Sequence, residues 1–387
     1  MLSVEEARRK ILALIEDQPA ETVALTAAHG RVLAADVVAA RPQPPFTASA
    51  MDGYAVRAAD AAEGAALPVV AHIAAGHGSD APLAPGTAVR LFTGAPVPAG
   101  ADAILIQENA ASLPPAADGT PRIRVTAAPE PGVYLRPAGG DFAAGARLAA
   151  PRRLDARSIA LAAAMGADRL SVARRPVVAL LPTGDELVAP GSTPRGDQIF
   201  ASNNYGLAAM VEAAGAVPRL CPIAADTPEG LLAALAEAHG ADILVTLGGA
   251  SVGEHDLVAR VLGGAGLTLD FHRIAMRPGK PLMAGRLVAD PGEPAARGAT
   301  MLGLPGNPVS AMVCGLLFLL PAIERAMGLP GDPPPRRAAR LAAPIGRNGP
   351  REHYMRAARV GHGEDGLALV RPAENQDSSL LHVLADA

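Results

Sequence analysis

DILVTLGGASVGEHDLVARVL, residues 242–262, reads as a strand, a turn and a helix in one stretch. Asp242 to Leu247 is a short aliphatic and β-branched run, and Gly248-Gly249 ends it. Ser251 and Glu254 then stand three apart before an apolar-periodic segment, the signature of a capping box. A helix that starts just after a strand and a Gly-Gly turn offers free N–H groups to an anion. Glu254 and Asp256 put two acids at the same place. Anion and carboxylates are compatible when a divalent cation joins them, because Mg²⁺ is commonly held by one or two carboxylates together with substrate phosphates.

On both sides of this stretch the pattern alternates. It predicts strands at 176–182, 217–223, 242–247, 268–274, 281–286 and 299–304, and helices at 203–215, 228–239, 252–263 and 308–327. Alternation of this kind means an α/β domain over 176–328 with a largely parallel sheet covered on both faces. In such sheets ligands bind beyond the carboxyl ends of the strands. Four Gly-rich loops belong to these strands: PTGDEL (182–187), TLGGASVGEHD (246–256) and GLPGNPVSA (303–311) follow strands, and MRPGKP (276–281) joins two; with parallel strands three of the four gather at that edge. Asn307 suits an N-cap and Pro308 a first helical position, so free N–H groups are expected there, with Ser310 in the first turn.

The rest of the chain reads as three further parts. Residues 46–140 carry short β-type runs separated by Gly and Pro, which suggests a small β domain. It is inserted into an N-terminal domain made of 1–45 and 141–175. After a Pro-rich linker at 329–340, a small β domain fills 341–387. The apolar run 311–323 is too short to span a bilayer and is broken by Gly315 and Pro321, so it reads as a buried helix. MLSVEEARRKILALI lacks the regions of a signal peptide. The two cysteines, Cys221 and Cys314, form no disulfide framework, and a cytoplasmic location is expected. A net charge of −4 over 387 residues leaves no footprint for nucleic acid or an anionic membrane.

One count singles out a cation. Of 34 basic residues only Lys10 and Lys280 are lysine. Lys280 lies between Gly279 and Pro281, where a compact ammonium differs physically from a planar guanidinium. Asp185, Glu186, Glu254 and Asp256 are the candidate metal carboxylates. The nine His and two Cys show no zinc spacing. No nucleophile–base pair is evident, and Ser310 has no His near it in sequence. In the insert, SAMDGYAVR (49–57) and FTGAPVPAGADAILIQE (92–108) stand out as polar islands; Asp52-Gly53 reads locally as a hairpin turn.

Taken in order, SAMDGYAV, TGAPVPAGADAIL, PTGDELV, GGASVGEHD, RPGKP and GLPGNPVSA resemble the molybdopterin molybdenumtransferase family, which includes bacterial MoeA and the gephyrin E domain. The resemblance covers nearly the whole chain. It implies insertion of molybdate into adenylylated molybdopterin, with Mg²⁺-dependent release of AMP, in molybdenum cofactor biosynthesis. It also implies a homodimer of elongated subunits, with other cofactor-biosynthesis proteins as further partners. Each cleft then lies between the α/β domain of one subunit and the insert of the other.

By that resemblance Asp52, Thr93, Glu186, Asp256 and Lys280 are catalytic, and Glu186 and Asp256 hold the metal. Asp185, Asn203, Gly248, Gly249 and Ser251 bind the pterin or nucleotide phosphate. Arg277, Lys280 and Ser310 bind molybdate, and Asp226 is a weaker transfer. Two departures stand out. Arg277 occupies a position where many members have Lys. The chain also stops a strand or two early, so the last domain is expected to be short, with Arg351 or Arg356 as its contribution. Two alternatives accompany this reading. One is the preceding adenylyl transfer onto the pterin. The other is a gephyrin-like scaffold, against which stands the lack of long linkers and extra domains.

Overall fold

The computed structural model describes residues 1–78, 80–249, 257–288 and 298–385. Its central element is a six-stranded sheet in the order 217–220, 177–182, 243–247, 299–304, 283–287, 267–271. The first four strands are parallel. The last two run antiparallel to their neighbours, so the sheet is mixed rather than uniformly parallel. The reason is the connection. A parallel neighbour needs a crossover of a dozen or more residues, usually helical, and residues 272–282 contain only the short strand Met276–Arg277.

Strand Ile243–Leu247 is buried along its whole length, as a strand covered on both faces must be. On one face Val178, Leu180, Val245 and Leu302 pack against the helices Asn203–Ala213 and Pro308–Ala326. On the other, Ala179, Leu181 and Leu244 meet the helices Pro228–Ala236 and Leu257–Gly264. The helix Pro308–Ala326 is apolar and long enough, by composition, to cross a bilayer. Here Phe318, Leu319, Ala322 and Ile323 are fully buried in the first of these cores. Its middle, Gly315–Leu319, makes a π turn. Pro321, two residues past its end, has no N–H for the regular ladder, which gives the register change a local cause.

The N-terminal helix Val4–Leu14 carries a complete capping box, with Ser3 N–H donating to Glu6 Oε2 at 2.8 Å. It buries Val4, Ala7 and Ile11 in the α/β core, so by packing it joins that domain. The following segment forms a four-stranded antiparallel sheet with residues 152–153 and 169–173. Helix Ala156–Ala164 covers it, capped by Asp155, which accepts from Ser158 N–H at 2.8 Å. The insert is a six-stranded sheet in the order 103–106, 53–56, 88–91, 66–73, 122–125, 110–113, with a small core on each face. At the other end of the chain, strands 339–341, 368–372 and 357–362 form a three-stranded sheet. The short strand Glu352–His353 lies outside that sheet and pairs in parallel with Met276–Arg277. This ties the C-terminal part directly to the Lys280 loop.

Candidate active site

Three strand ends meet at one edge of the sheet. Thr183 N–H donates to Leu247 O at 2.9 Å, and Gly248 N–H to Leu304 O at 3.2 Å. The loops after strands 177–182, 243–247 and 299–304 are thereby held side by side. Gly248 and Gly249 both have positive φ, 99° and 64°. A Cβ on Gly248 would lie 2.7 Å from Thr183 O, and one on Gly249 would lie 2.4 Å from Val258 Cγ2. The turn is pressed so closely onto its surroundings that only glycine fits.

These loops frame a cleft of about 670 Å³ whose lining includes Thr183, Glu186, Asp226, Gly248, Gly249 and Asn307, together with Arg260 and Pro281. A second cleft of about 320 Å³ adjoins it, sharing Thr183, Glu186, Gly248, Gly306 and Asn307. Asn203 lines this smaller cleft, and its Nδ2 donates to Gly306 O at 2.7 Å. Glu186, Gly248, Gly249 and Asn203 of the sequence-derived set are thus brought together. Ser251, Glu254 and Asp256, with the expected capping box, lie outside the described residues.

Others take different places. Asp185 lines neither cleft; its Oδ1 accepts from Asp226 N–H at 3.1 Å and holds that loop in position. Ser310 is 4% exposed and also lines neither cleft. Lys280 is half-buried, and its carbonyl accepts from Ile274 N–H and Leu282 N–H, both at 3.1 Å. Its neighbour Pro281 borders the larger cleft. The loop rests on the last helix of the sheet: a Cβ on Gly279 would lie 2.7 Å from Cys314 Sγ. That thiol is pushed up to about 12 by burial, so it serves as packing and not as a nucleophile. Arg277 is exposed, and its carbonyl accepts from Tyr354 N–H at 2.8 Å. Burial, then the charges of Arg277 and Arg351, lower the pKa of His353 beside this loop.

The helix start at Asn307-Pro308 is not as open as the sequence suggests. Val309 N–H donates to Ser378 O at 3.0 Å, and Asn307 Nδ2 donates to Ser378 Oγ at 2.8 Å. Asn307 occupies the N-cap position without a side-chain cap bond. Ser379 continues into the smaller cleft. The C-terminal part therefore reaches the site through Ser378 and Ser379. Arg356 is buried and bonds the carbonyls of Asn375 and Leu380, which fixes the segment bearing those serines. Thr183, Arg260 and the two serines were missed by sequence reasoning. Only Thr183, beside the PTGDEL glycine, had a local signal.

In the insert, Asp52 Oδ1 accepts from Thr93 N–H at 2.7 Å and from Thr93 Oγ1 at 2.9 Å. Those bonds, the backbone one first, and then Arg90 lower the pKa of Asp52. Asp52 is not the turn of a hairpin: the strands beside it, 48–49 and 53–56, pair with other partners. Arg90 lies over the rings of Tyr54 and Phe92, at 4.9 and 5.3 Å. No residue of the insert lines either cleft among the described residues.

Among the described residues no three His, Cys, Asp or Glu side chains cluster as a metal site. Glu186 and Asp226 do give the larger cleft two carboxylates. That is a hard-oxygen donor set, which suits Mg²⁺ better than a soft metal.

Comparison with known proteins gives the same picture. Residues 2–166 match the family described as MoeA N-terminal region (domain I and II). Residues 179–325 match the one described as probable molybdopterin binding domain. The molybdopterin molybdenumtransferase of Nostoc sp. is 37% identical over 391 residues, covering 98% of this chain and 86% of that protein. Molybdopterin molybdenumtransferase 2 of Mycobacterium tuberculosis is 37% identical over 358 residues, covering 89% and 84%. The crystal structure of the molybdopterin biosynthesis moeA protein from Pyrococcus horikosii superposes with a TM-score of 0.78 at 28% identity, across 100% of this chain and 93% of that one. The chain belongs to the molybdopterin molybdenumtransferase family of molybdenum cofactor biosynthesis.

Proposed function

We propose that the chain inserts molybdenum from molybdate into adenylylated molybdopterin and releases AMP, as a homodimer in the cytoplasm. The observation that carries this is the joined pair of clefts at the carboxyl edge of the sheet. Gly248 and Gly249 line it, and backbone without side chains there suits a phosphate at close range. Its wall carries Glu186 and Asp226, and the Lys280 loop stands at Pro281. Glu186 and Asp256 are the residues assigned to Mg²⁺. Bound there, the ion would offset the charge of the adenylyl phosphate, as divalent ions do in phosphoryl chemistry. Lys280 and Arg277 offer cations for the oxyanion, with Ser310 assigned beside them.

Within this reading Asp185 is a positioning residue, because it fixes Asp226 rather than entering the cleft. The test is direct. Full-length protein incubated with adenylylated molybdopterin, Mg²⁺ and molybdate should release AMP, with release dependent on both ions. Glu186→Gln should shift the Mg²⁺ titration to higher concentration. Consumption of ATP with free molybdopterin would instead indicate the adenylyl-transfer reaction. An absence of either activity would leave a scaffold.

A further inference from the structure

We propose that Arg90 is a positioning residue for the Asp52–Thr93 pair: it clamps the backbone segments that carry the two side chains, so that the pair meets the substrate in one fixed geometry. What the pair does rests on the transferase reading. How the pair is held rests on the insert alone.

The place of Arg90 is unusual. It lies in strand Ala88–Leu91, where Val89 and Leu91 turn into one core of the insert and Ala88 into the other. Side chains alternate along a strand, so Arg90 belongs to the face of Ala88. Its cross-strand partner is Tyr54, which packs against that same core. An apolar residue is the ordinary choice at such a position. A half-buried guanidinium needs a reason there.

Its contacts supply one, because each of them lies next to the pair. Arg90 Nη1 donates to the carbonyl of Gly53, the residue after Asp52, at 3.4 Å. Arg90 Nη2 donates to Gln107 Oε1 at 2.8 Å, and Gln107 N–H in turn donates to the carbonyl of Asp52 at 3.2 Å. The guanidinium lies over the ring of Tyr54, two residues after Asp52, and over that of Phe92, the residue before Thr93. Phe92 is 41% exposed, so the cation is a contact that can hold its ring. One planar fork thus grips the chain after Asp52, the chain before Thr93 and the turn that supports Asp52 from behind. Both Thr93 bonds fall on Asp52 Oδ1, which fixes the plane of the carboxylate and with it the direction of Oδ2. A lysine could supply the charge but neither the fork nor the flat stacking surface.

The experiment uses full-length protein, Arg90→Met and Arg90→Lys, with two readouts. The first is the rate of AMP release from adenylylated molybdopterin with Mg²⁺ and molybdate. Arg90→Met should lower kcat about tenfold or more, as loss of alignment does, and leave KM within about twofold, since an interaction acting through Asp52 does not bind substrate in the ground state. Arg90→Lys should not rescue it. The second readout is amide hydrogen exchange, which needs no substrate. Thr93 N–H, bonded to Asp52, should exchange about tenfold faster in both variants, while Ile104 and Leu105 in the neighbouring strand stay protected, as expected of a local opening. Faster exchange at Ile104 and Leu105 as well would make Arg90 a general support of the insert and overturn the proposal. A changed KM with native kcat would do the same, by making Arg90 a substrate contact, and so would native kcat or native Thr93 exchange in Arg90→Met. Full recovery in Arg90→Lys would show that charge alone matters and reject the clamp. Failure of the transferase reading appears separately, as native protein that releases no AMP; Thr93 exchange then still decides whether Arg90 holds the pair.

Discussion

At the scale of single residues, close backbone approach shapes the cleft, and one unusual cation stands in the loop whose Pro281 lines it. Gly249 has φ 64°, and any Cβ there would press on Val258 at 2.4 Å. Gly249→Ala should therefore cost at least about 1 kcal/mol from backbone strain alone. It should also reduce substrate affinity, since Gly249 lines the cleft and the turn must shift. Denaturant unfolding and a KM measurement check both; native stability would show that the turn has room to spare. Lys280 makes a different case. Its carbonyl anchors the loop, whereas its side chain is half-buried at the surface, where a single charge contributes little to stability. Lys280→Ala should leave Tm within a degree or two by that argument, while raising the molybdate concentration needed for AMP release. An unchanged molybdate dependence would remove Lys280 from the oxyanion site. The sequence marked both residues, Gly249 by its turn and Lys280 by the rarity of lysine. It could not show that Asp185 supports Asp226, because that bond joins residues forty-one apart with no local pattern linking them.

At the scale of elements, period and punctuation made the α/β alternation legible. Each of the six expected strands and four expected helices has a described counterpart, because buried strands and amphipathic helices both leave marks in apolar spacing. Long-range pairing leaves no such mark. Strand Glu352–His353 joins Met276–Arg277, and Ser378 closes the helix start at Val309; neither was legible. This clamp makes a pH prediction. Burial first, then Arg277 and Arg351, depress the pKa of His353. The unfolded chain then binds the proton more readily than the folded one. The stabilising contribution of neutral His353 is present above the unfolded value of about 6.5 and declines as pH falls below it through the folded value. Tm measured from about pH 7.5 down to about 5.5 should fall more steeply in the native protein than in His353→Gln, which stays neutral throughout. Parallel curves would show that His353 is solvated as in the unfolded chain.

At the scale of the whole molecule, the question is where Asp52 and Thr93 act. They bond each other at 2.7 and 2.9 Å, in an insert of which no described residue lines either cleft of its own chain. The family resemblance implies a catalytic role for them, and on that proposal a second copy is the natural recipient. Symmetric pairing would deliver the insert of each subunit to the cleft of the other and make two equal sites. Asp52→Ala subunits and Lys280→Ala subunits, each impaired alone, can be mixed and allowed to exchange. If sites are shared, one cleft of each mixed dimer carries both lesions and the other carries none. About a quarter of all clefts in a random mixture should then be intact, from simple counting over a two-fold dimer, and AMP release should rise toward that fraction. If each site is built within one subunit, every cleft carries one lesion and mixing restores nothing. Native mass spectrometry verifies that exchange occurred. Exchange without recovery would place Asp52 outside the partner's cleft and return it to a role within the insert, where its bonds to Thr93 already join the loops before Gly53 and after Leu91.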